Sequence, residues 1–362
     1  MKVLITCPRA PVTIEWIRVF TRANIEVILV DSLDYPIAKY FANTKYVKVA
    51  SPKLDYIQYK NDMTTLLQDV DWVIPNCEDI FYLTKVREEI VCDTFFFMPD
   101  TELLYTLHHK YDFFKYINAH VKSPHTVLIN DKSEIDFSAK SILKPVFSRF
   151  GQNVIREVTK ENIKEIECSS SYPWVQQQKI EGRAICNYAL MKEGKLIAHV
   201  AYRPKYLLND SASTYFESYS DKRLDDFATT FAQDTGYTGQ VAFDFIDDGT
   251  NLYILECNPR ATSGLHLLSD GLTFKENTFS YKKQKNIPNY RVGTTLYTLF
   301  GVKALLKGEF GVLHKEYKKA KDVLDGMPFY AQFLSLYEML YRAIKYKKPL
   351  TQASTFDIEF DG

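Results

Sequence analysis

The sequence predicts an α/β unit on a parallel sheet, followed by an α+β unit on antiparallel sheets and a mostly helical tail. Three observations carry this. Short apolar runs alternate with amphipathic stretches over about the first hundred residues; strand-like runs then succeed one another with few helical interruptions; helical spacing returns from about Arg291. Strand–helix alternation argues for a parallel sheet with helices on its faces, and successive strand runs argue for antiparallel sheets. The expected units are 1–105, 106–290 and 291–362, in keeping with the size prior for a chain of 362 residues.

In the first unit, Val3–Thr6 reads as a buried strand and Pro11–Ala23 as a helix with Ile14, Ile17, Val19 and Phe20 inward. Glu26–Val30 and Asp71–Pro75 read as further strands. The loop Cys7-Pro-Arg-Ala-Pro11 contains no glycine, and a dinucleotide fingerprint needs glycine there for the backbone to approach a pyrophosphate. NAD and FAD are therefore not expected, and no G-x-x-x-x-G-K-[ST] phosphate loop occurs. A helical pattern from Tyr105 to about His120 carries Lys110. The strand runs that follow are Ser141–Val146, Trp174–Ile180, Ala184–Met191, Lys195–Arg203, Gln240–Asp247 and Leu252–Cys257.

With 46% hydrophobic and 25% charged residues, an ordinary globular core is expected. Formal net charge is zero, which argues against a protein held on nucleic acid or on a membrane by bulk electrostatics. The six cysteines lie far apart with no C-x-x-C pair, so buried free thiols are expected rather than a zinc site or a disulfide framework. No signal-peptide core occurs, and no apolar run approaches the roughly 18 residues that span a bilayer. A cytoplasmic location is the expectation.

The chemistry concentrates in Gly239–Arg260. Two β-rich runs flank Asp247-Asp-Gly-Thr-Asn251, a hairpin signal. A three-residue loop, Gly249–Asn251, would set Asp244 directly across from Glu256 with Asn258 two residues further along the same face. Like charges opposite one another destabilise a sheet, and a hard divalent cation resolves the conflict through carboxylate and amide oxygens. A loop of even length would instead put the two acids on different faces. Arg260, just past the strand, is well placed to hold a phosphoryl oxygen. Lys144 ends the run Ser-Ile-Leu-Lys-Pro-Val; a lone lysine at a strand end is most often simply solvated.

The order of these motifs, a helix-borne Lys110, then Lys144-Pro145 before a small loop, then Gln176-Gln-Gln-Lys-Ile-Glu-Gly182, then Asp244 and Glu256-Cys-Asn-Pro-Arg260, resembles the ATP-grasp superfamily, which includes biotin carboxylase, carbamoyl phosphate synthetase and the D-alanine–D-alanine ligases. The resemblance spans about Met1 to Asp270, and Glu-x-Asn-Pro-Arg is its most specific part. It implies a pre-ATP-grasp α/β domain before two subdomains that clasp ATP. It implies further that Lys110 and Lys144 hold ATP phosphates, and that the backbone of Gln178, Lys179 and Ile180 reads the adenine edge. Asp244, Glu256 and Asn258 would bind Mg²⁺ (or Mn²⁺), and Arg260 would meet the transferred phosphoryl group. Two positions depart from the pattern: Ala184 stands where an acidic residue often holds ribose, and Gly151 is the lone glycine where many members have a glycine-rich flap.

The implied reaction is ATP-dependent activation of a small carboxylate as an acyl phosphate, which an amine then attacks. A bicarbonate-phosphorylating enzyme and a non-catalytic ATP-binding regulator are the alternatives. Substrate contacts are assigned to Arg203, as a carboxylate clamp at a strand end, to the small-residue turn Thr262-Ser263-Gly264, and to His266, although a histidine beside leucines is more often a packing residue. Asp210–Thr214 reads as a covering loop. Glu78 and Asp79 follow a strand end, where open α/β sheets place ligands, and solvated loop carboxylates are an equal reading. In the tail, Phe329, Phe333, Leu336 and Leu340 recur at near-helical spacing and read as core or as a homodimer face. The basic Tyr341–Lys348 stretch reads as a solvated helix end.

Overall fold

The structure is a computed structural model that describes residues 1–148, 153–208 and 212–362. Its first unit runs β1 (Lys2–Thr6), α1 (Thr13–Arg22), β2 (Glu26–Asp31), β3 (Thr44–Lys48), α2 (Tyr56–Leu67), β4 (Trp72–Ile74), α3 (Ile80–Glu89), β5 (Phe95–Phe96) and α4 (Thr101–His108). The five strands form a parallel sheet in the order β3-β2-β1-β4-β5. The order reverses between β1 and β4, which makes the carboxyl ends of those strands the natural ligand crevice. β3 escapes sequence reading because Thr44-Lys-Tyr-Val-Lys48 is an edge strand with polar, part-exposed positions. The glycine-free loop turns through Cys7, which adopts a φ of 53°. The expected helix Tyr105–His120 is instead the end of α4 followed by a short 3₁₀ turn, Asp112–Tyr116, and Lys110 sits in the link between them.

A three-stranded antiparallel sheet follows, built from β6 (Thr126–Ile129), β7 (Ser141–Pro145) and β8 (Trp174–Gln178) in the order β6-β8-β7. The largest sheet has seven strands. It takes β9 (Arg183–Lys192), β10 (Lys195–Leu208), β11 (Ala212–Tyr219), then, after α5 (Lys222–Thr235), β12 (Gly239–Asp247) and β13 (Leu252–Asn258). A short α6 (Leu265–Leu268) and a hairpin of β14 (Leu272–Lys275) and β15 (Thr278–Tyr281) come next. The tail supplies β16 (Tyr290–Arg291), α7 (Thr295–Leu306), α8 (Phe310–Lys319), β17 (Lys321–Asp322), α9 (Phe329–Tyr346) and α10 (Leu350–Ala353). The strand order is β13-β12-β9-β10-β11-β16-β17, antiparallel except for the β16–β17 pair.

Alternation along the strands divides the large sheet into two faces. One buries Ile185, Ala201, Phe243, Phe245 and Cys257 under Leu224, Phe227 and Phe231 of α5. That helix is capped by Asp221, whose side chain accepts from the Arg223 N–H, and is closed by Gly236 at φ 64°. The other face carries Tyr188, Tyr202 and Ala242 and packs toward Trp16 of α1 and the parallel sheet. Gln240 fixes that contact: it accepts from Trp16 Nε1 at 3.1 Å and Tyr188 OH at 2.6 Å, and donates to the Pro75 carbonyl at 2.8 Å. A buried amide with its partners satisfied specifies one docking arrangement of the two units.

Two expectations about loops meet the structure only in part. Arg149–Gly151 and the residues 209–211 lie outside the described residues, while Ala212–Thr214 open strand β11 rather than a loop. After α10 the chain returns to the first unit. Asp357, Ile358, Glu359 and Phe360 are all buried there, against the carboxyl ends of β1 and β4, a docking that no local sequence signal announces.

Candidate active site

Asp244 and Glu256 are directly paired across β12 and β13. The route to that pairing differs from the sequence argument. Asp247 pairs with Leu252, so the loop is the four residues Asp248–Asn251, and by parity alone Asp244 would face Leu255. The register shifts next to Asp244: Leu255 is a β-bulge, and the extra residue restores the Asp244–Glu256 pair. Asp248 closes the turn by accepting from the N–H groups of Thr250 and Asn251 at 2.8 and 2.7 Å.

The bulge also seats a cation. The Lys144 ammonium, from β7, donates to the Leu255 carbonyl at 3.2 Å. Lys144 is buried rather than solvated; burial lowers its pKa, while Glu256 and Asp244 work in the other direction. Lys110 is buried too, with its Nζ 2.6 Å from the Ser148 carbonyl. Asn258 donates to Asp244 Oδ2 at 3.3 Å, and Arg260 donates to Asn258 Oδ1 at 3.1 Å. Arg260 also lies 3.6 Å from Glu78 at the end of β4. Glu78 and Asp79 are buried, not solvated loop carboxylates, and Glu78 accepts from the Phe360 N–H at 3.2 Å.

The electrostatics of the pair are uneven. Burial, and then the Glu256 charge, push Asp244 up to about 7. Burial would raise Glu256 as well, but Lys110 and Lys144 hold it below the usual carboxylate range. Cys186, directly across from Asp244 on β9, hydrogen-bonds it, and its thiol is pushed up chiefly by burial. Among the described residues no group of three or more His, Cys, Asp or Glu side chains is arranged to hold a metal by itself. The oxygen set at this position is two carboxylates and one amide, with the remaining places open to phosphate oxygens, and this suits Mg²⁺. The unrelieved charge at Asp244 is what a dication would neutralise. Because Arg260 holds the Asn258 oxygen, Asn258 would have to exchange that arginine for a cation in order to ligate one.

The segment Gln178–Ile180, which the resemblance assigns to adenine, lies at the end of β8. Gln178 and Lys179 donate their N–H groups to the carbonyls of His125 and Lys140, at 2.8 and 3.0 Å. Among the described residues the Ile180 N–H has no backbone acceptor. Gly182 follows where a Cβ would come within 2.3 Å of the Asp247 carbonyl, which fixes this turn against β12.

Three substrate assignments are placed elsewhere or used otherwise. Arg203 is inside β10, not at its end, and follows Tyr202, which pairs with Cys186 on the acid-bearing face. Arg203 therefore belongs to the opposite face, where its guanidinium lies 4.2 Å from the Tyr219 ring centroid. His266 is buried, with Nδ1 2.9 Å from Glu15 Oε1, and stacks on Phe216; it is the packing residue of the plainer reading. Gly264 is where a Cβ would meet Tyr188 at 2.2 Å, so close packing explains the glycine. Ser263 remains part-exposed in the turn after Arg260.

A doubly wound α/β unit, a small antiparallel sheet bearing one lysine and a large sheet bearing paired acids together define the ATP-grasp fold, and the chain has that fold. No protein-family model matches the sequence, and no curated protein matches it by sequence. Solved structures do match. N5-carboxyaminoimidazole synthetase from Staphylococcus aureus, complexed with ADP, is 12% identical with a TM-score of 0.62, covering 84% of this chain and 86% of that one. L-amino acid ligase from Bacillus licheniformis is 14% identical at TM-score 0.55, covering 75% and 70%. A putative ATP-grasp superfamily protein from Archaeoglobus fulgidus is 15% identical at TM-score 0.53, covering 80% and 91%.

Proposed function

We propose that this protein is an ATP-dependent ligase that phosphorylates a small carboxylate and passes the acyl group to an amine. The observation that carries the reading is the Asp244–Glu256 pair, directly opposed on one sheet face, with the Lys110 and Lys144 charges acting on Glu256. Structural neighbours named as an L-amino acid ligase and as an ADP-bound carboxyaminoimidazole synthetase support the reaction class.

In this reading Asp244, Glu256 and Asn258 hold Mg²⁺ or Mn²⁺. The ion, when bound, neutralises phosphate charge during in-line transfer. Lys144, from the small sheet, and Lys110, from the link after α4, bind ATP phosphates, and the desolvated Lys144 gives up little hydration in doing so. The Ile180 N–H and the carbonyls of Gln178 and Lys179 receive the adenine edge. A carboxylate oxygen of the substrate attacks the terminal phosphorus and ADP leaves. Arg260 is positioned at the acyl phosphate by Asn258 and Glu78. The amine then attacks the acyl carbon and inorganic phosphate departs. The turn at Ser263 and Gly264 borders the acceptor side, and Glu78 faces Arg260 from the crevice of the first unit.

The test is ADP release with Mg-ATP against amino acids and small carboxylic acids, singly and in pairs, with and without bicarbonate. Release that requires one acid and one amine supports the ligase. Release driven by bicarbonate would replace it with the carboxylating alternative. Nucleotide binding without release under any condition would favour the non-catalytic regulator.

A further inference from the structure

Helix α9 is attached to the protein by its charged side chains and presents its apolar ones to solvent. Inward lie Ala331, Glu338 and Arg342. Glu338 accepts from the Asp34 and Tyr35 N–H groups at 2.8 and 2.7 Å, and Arg342 reaches Asp357 at 2.6 Å. Outward lie Phe329, Phe333, Leu340 and Ile344, which are 69%, 58%, 47% and 79% exposed. This is the inverse of an ordinary surface helix, whose apolar stripe faces the core, and it corrects the expectation that Phe329, Phe333, Leu336 and Leu340 are core. Helix α7 repeats the inversion: Gly301 and Ala304 face inward while Val302 and Leu306 are 70% and 85% exposed. Gly293, two residues before α7, lies against Gln332 of α9, so the start of α7 is close to α9. Together the two faces expose apolar surface on the order of 1,000 Å², and apolar exposure beyond roughly 300–600 Å² marks an interaction surface.

Charge identifies the occupant. Zero net charge over the whole chain conceals a strong asymmetry, because residues 291–353 hold eleven Lys and Arg against five Asp and Glu. Three of those acids are already engaged: Glu338 as above, Asp322 with Arg291, and Glu316 with Lys205. Exposed Lys303, Lys307, Lys345 and Lys347 flank the apolar faces. A second copy of this chain, packed about a two-fold axis, would bring two positive rims together. Among the described residues no helix is long and apolar enough to cross a membrane. An aromatic and aliphatic face rimmed by lysine instead matches the interface of an anionic bilayer, where ring and alkyl groups enter the acyl boundary and ammonium groups meet headgroup phosphates.

We propose that α7 and α9 form a docking surface for an anionic lipid bilayer. The test is co-sedimentation of the full chain with vesicles of phosphatidylcholine alone and of phosphatidylcholine mixed with phosphatidylglycerol, with light scattering on the same samples. Binding is expected to the anionic vesicles only, and to weaken with salt. Changing Lys303, Lys345 and Lys347 to Gln should cost about fivefold in partitioning per lysine. The pair Val302→Asp and Ile344→Asp should lower it by at least about a hundredfold, with unchanged ATP affinity and thermal midpoint, since both sites are exposed. Absence of binding to anionic vesicles, equal binding to both kinds, or undiminished binding by the aspartate pair would each overturn the proposal. A native dimer that the aspartate pair converts to monomer, without vesicle binding, would assign the face to a second copy.

Discussion

Two buried clusters of acids in this molecule are built to opposite ends. Around Asp357 every charge is answered. Its carboxylate receives Arg9 at 2.7 Å and Arg342 at 2.6 Å, together with the Ser32 hydroxyl, while Arg9 also binds Asp31. Burial opposes ionisation there, yet Arg9, then Arg342 and Ser32, hold the carboxyl down at about 2. Around Asp244 the balance is left open, and its carboxyl stands at about 7. The first lies where the tail returns to the first unit, the second on the large sheet where Arg260 approaches Glu78 of that unit. A saturated network fastens one segment to another, whereas an under-neutralised pair is organised to receive charge from outside.

Five changes test that contrast. The largest effect is expected from Arg9→Ala, which leaves Asp31 and Asp357 with one fewer cation and should lower unfolding free energy by about 3–5 kcal/mol in urea titrations. Glu256→Gln should reduce ADP release by roughly 10²–10³-fold while leaving the thermal midpoint in place or slightly higher; undiminished release would remove Glu256 from the metal site. Lys144→Ala should weaken ATP binding by about ten- to a hundredfold by calorimetry, and an unchanged affinity would take Lys144 out of the phosphate contacts.

The smallest effect is on stability without ligands. Asp244 has a folded pKa raised from 3.8 to about 7, so its charge destabilises the fold increasingly as pH rises from about 4 through 7. Asp244→Asn should therefore stabilise the metal-free protein by roughly 1–3 kcal/mol at pH 8 and by little at pH 4. The sign reverses at Asp357, lowered from 3.8 to about 2: its contribution of about 2 kcal/mol is present above pH 4 and is lost as pH falls through 2. Denaturation curves at several pH values that moved in the same direction for Asp244→Asn and Asp357→Asn would erase the distinction between the clusters.

Sequence reasoning reached the acid pair because a strand's two-residue period is a local property, and Asp244, Glu256, Asn258 and Arg260 all belong to one hairpin. It reached Lys144 through its strand. It missed what only tertiary structure decides. The spacing of Phe329, Phe333, Leu336 and Leu340 shows a helix with one apolar face, but spacing carries no information on whether that face turns inward. Arg203 was misplaced because β10 continues to Leu208, so the expected strand-end position is mid-strand, on the face opposite the acids. Nothing near Asp357 signals its partner Arg9, about three hundred and fifty residues earlier and charged like any surface arginine.

The bulge at Leu255 works as a parity correction. A four-residue turn shifts the hairpin by one, and the extra residue shifts it back before the acids are reached. With eleven residues between Asp244 and Glu256, a four-residue turn needs the bulge for the two acids to meet. Removing one loop residue together with the bulge would keep Asp244 opposite Glu256, but would lose the carbonyl on which Lys144 rests. Deleting Leu255 alone would do the same, since the register would run from Phe245–Ile254 straight to Asp244–Glu256. What the bulge adds beyond the pairing is that carbonyl, so its loss should unseat Lys144 while leaving the acids opposed.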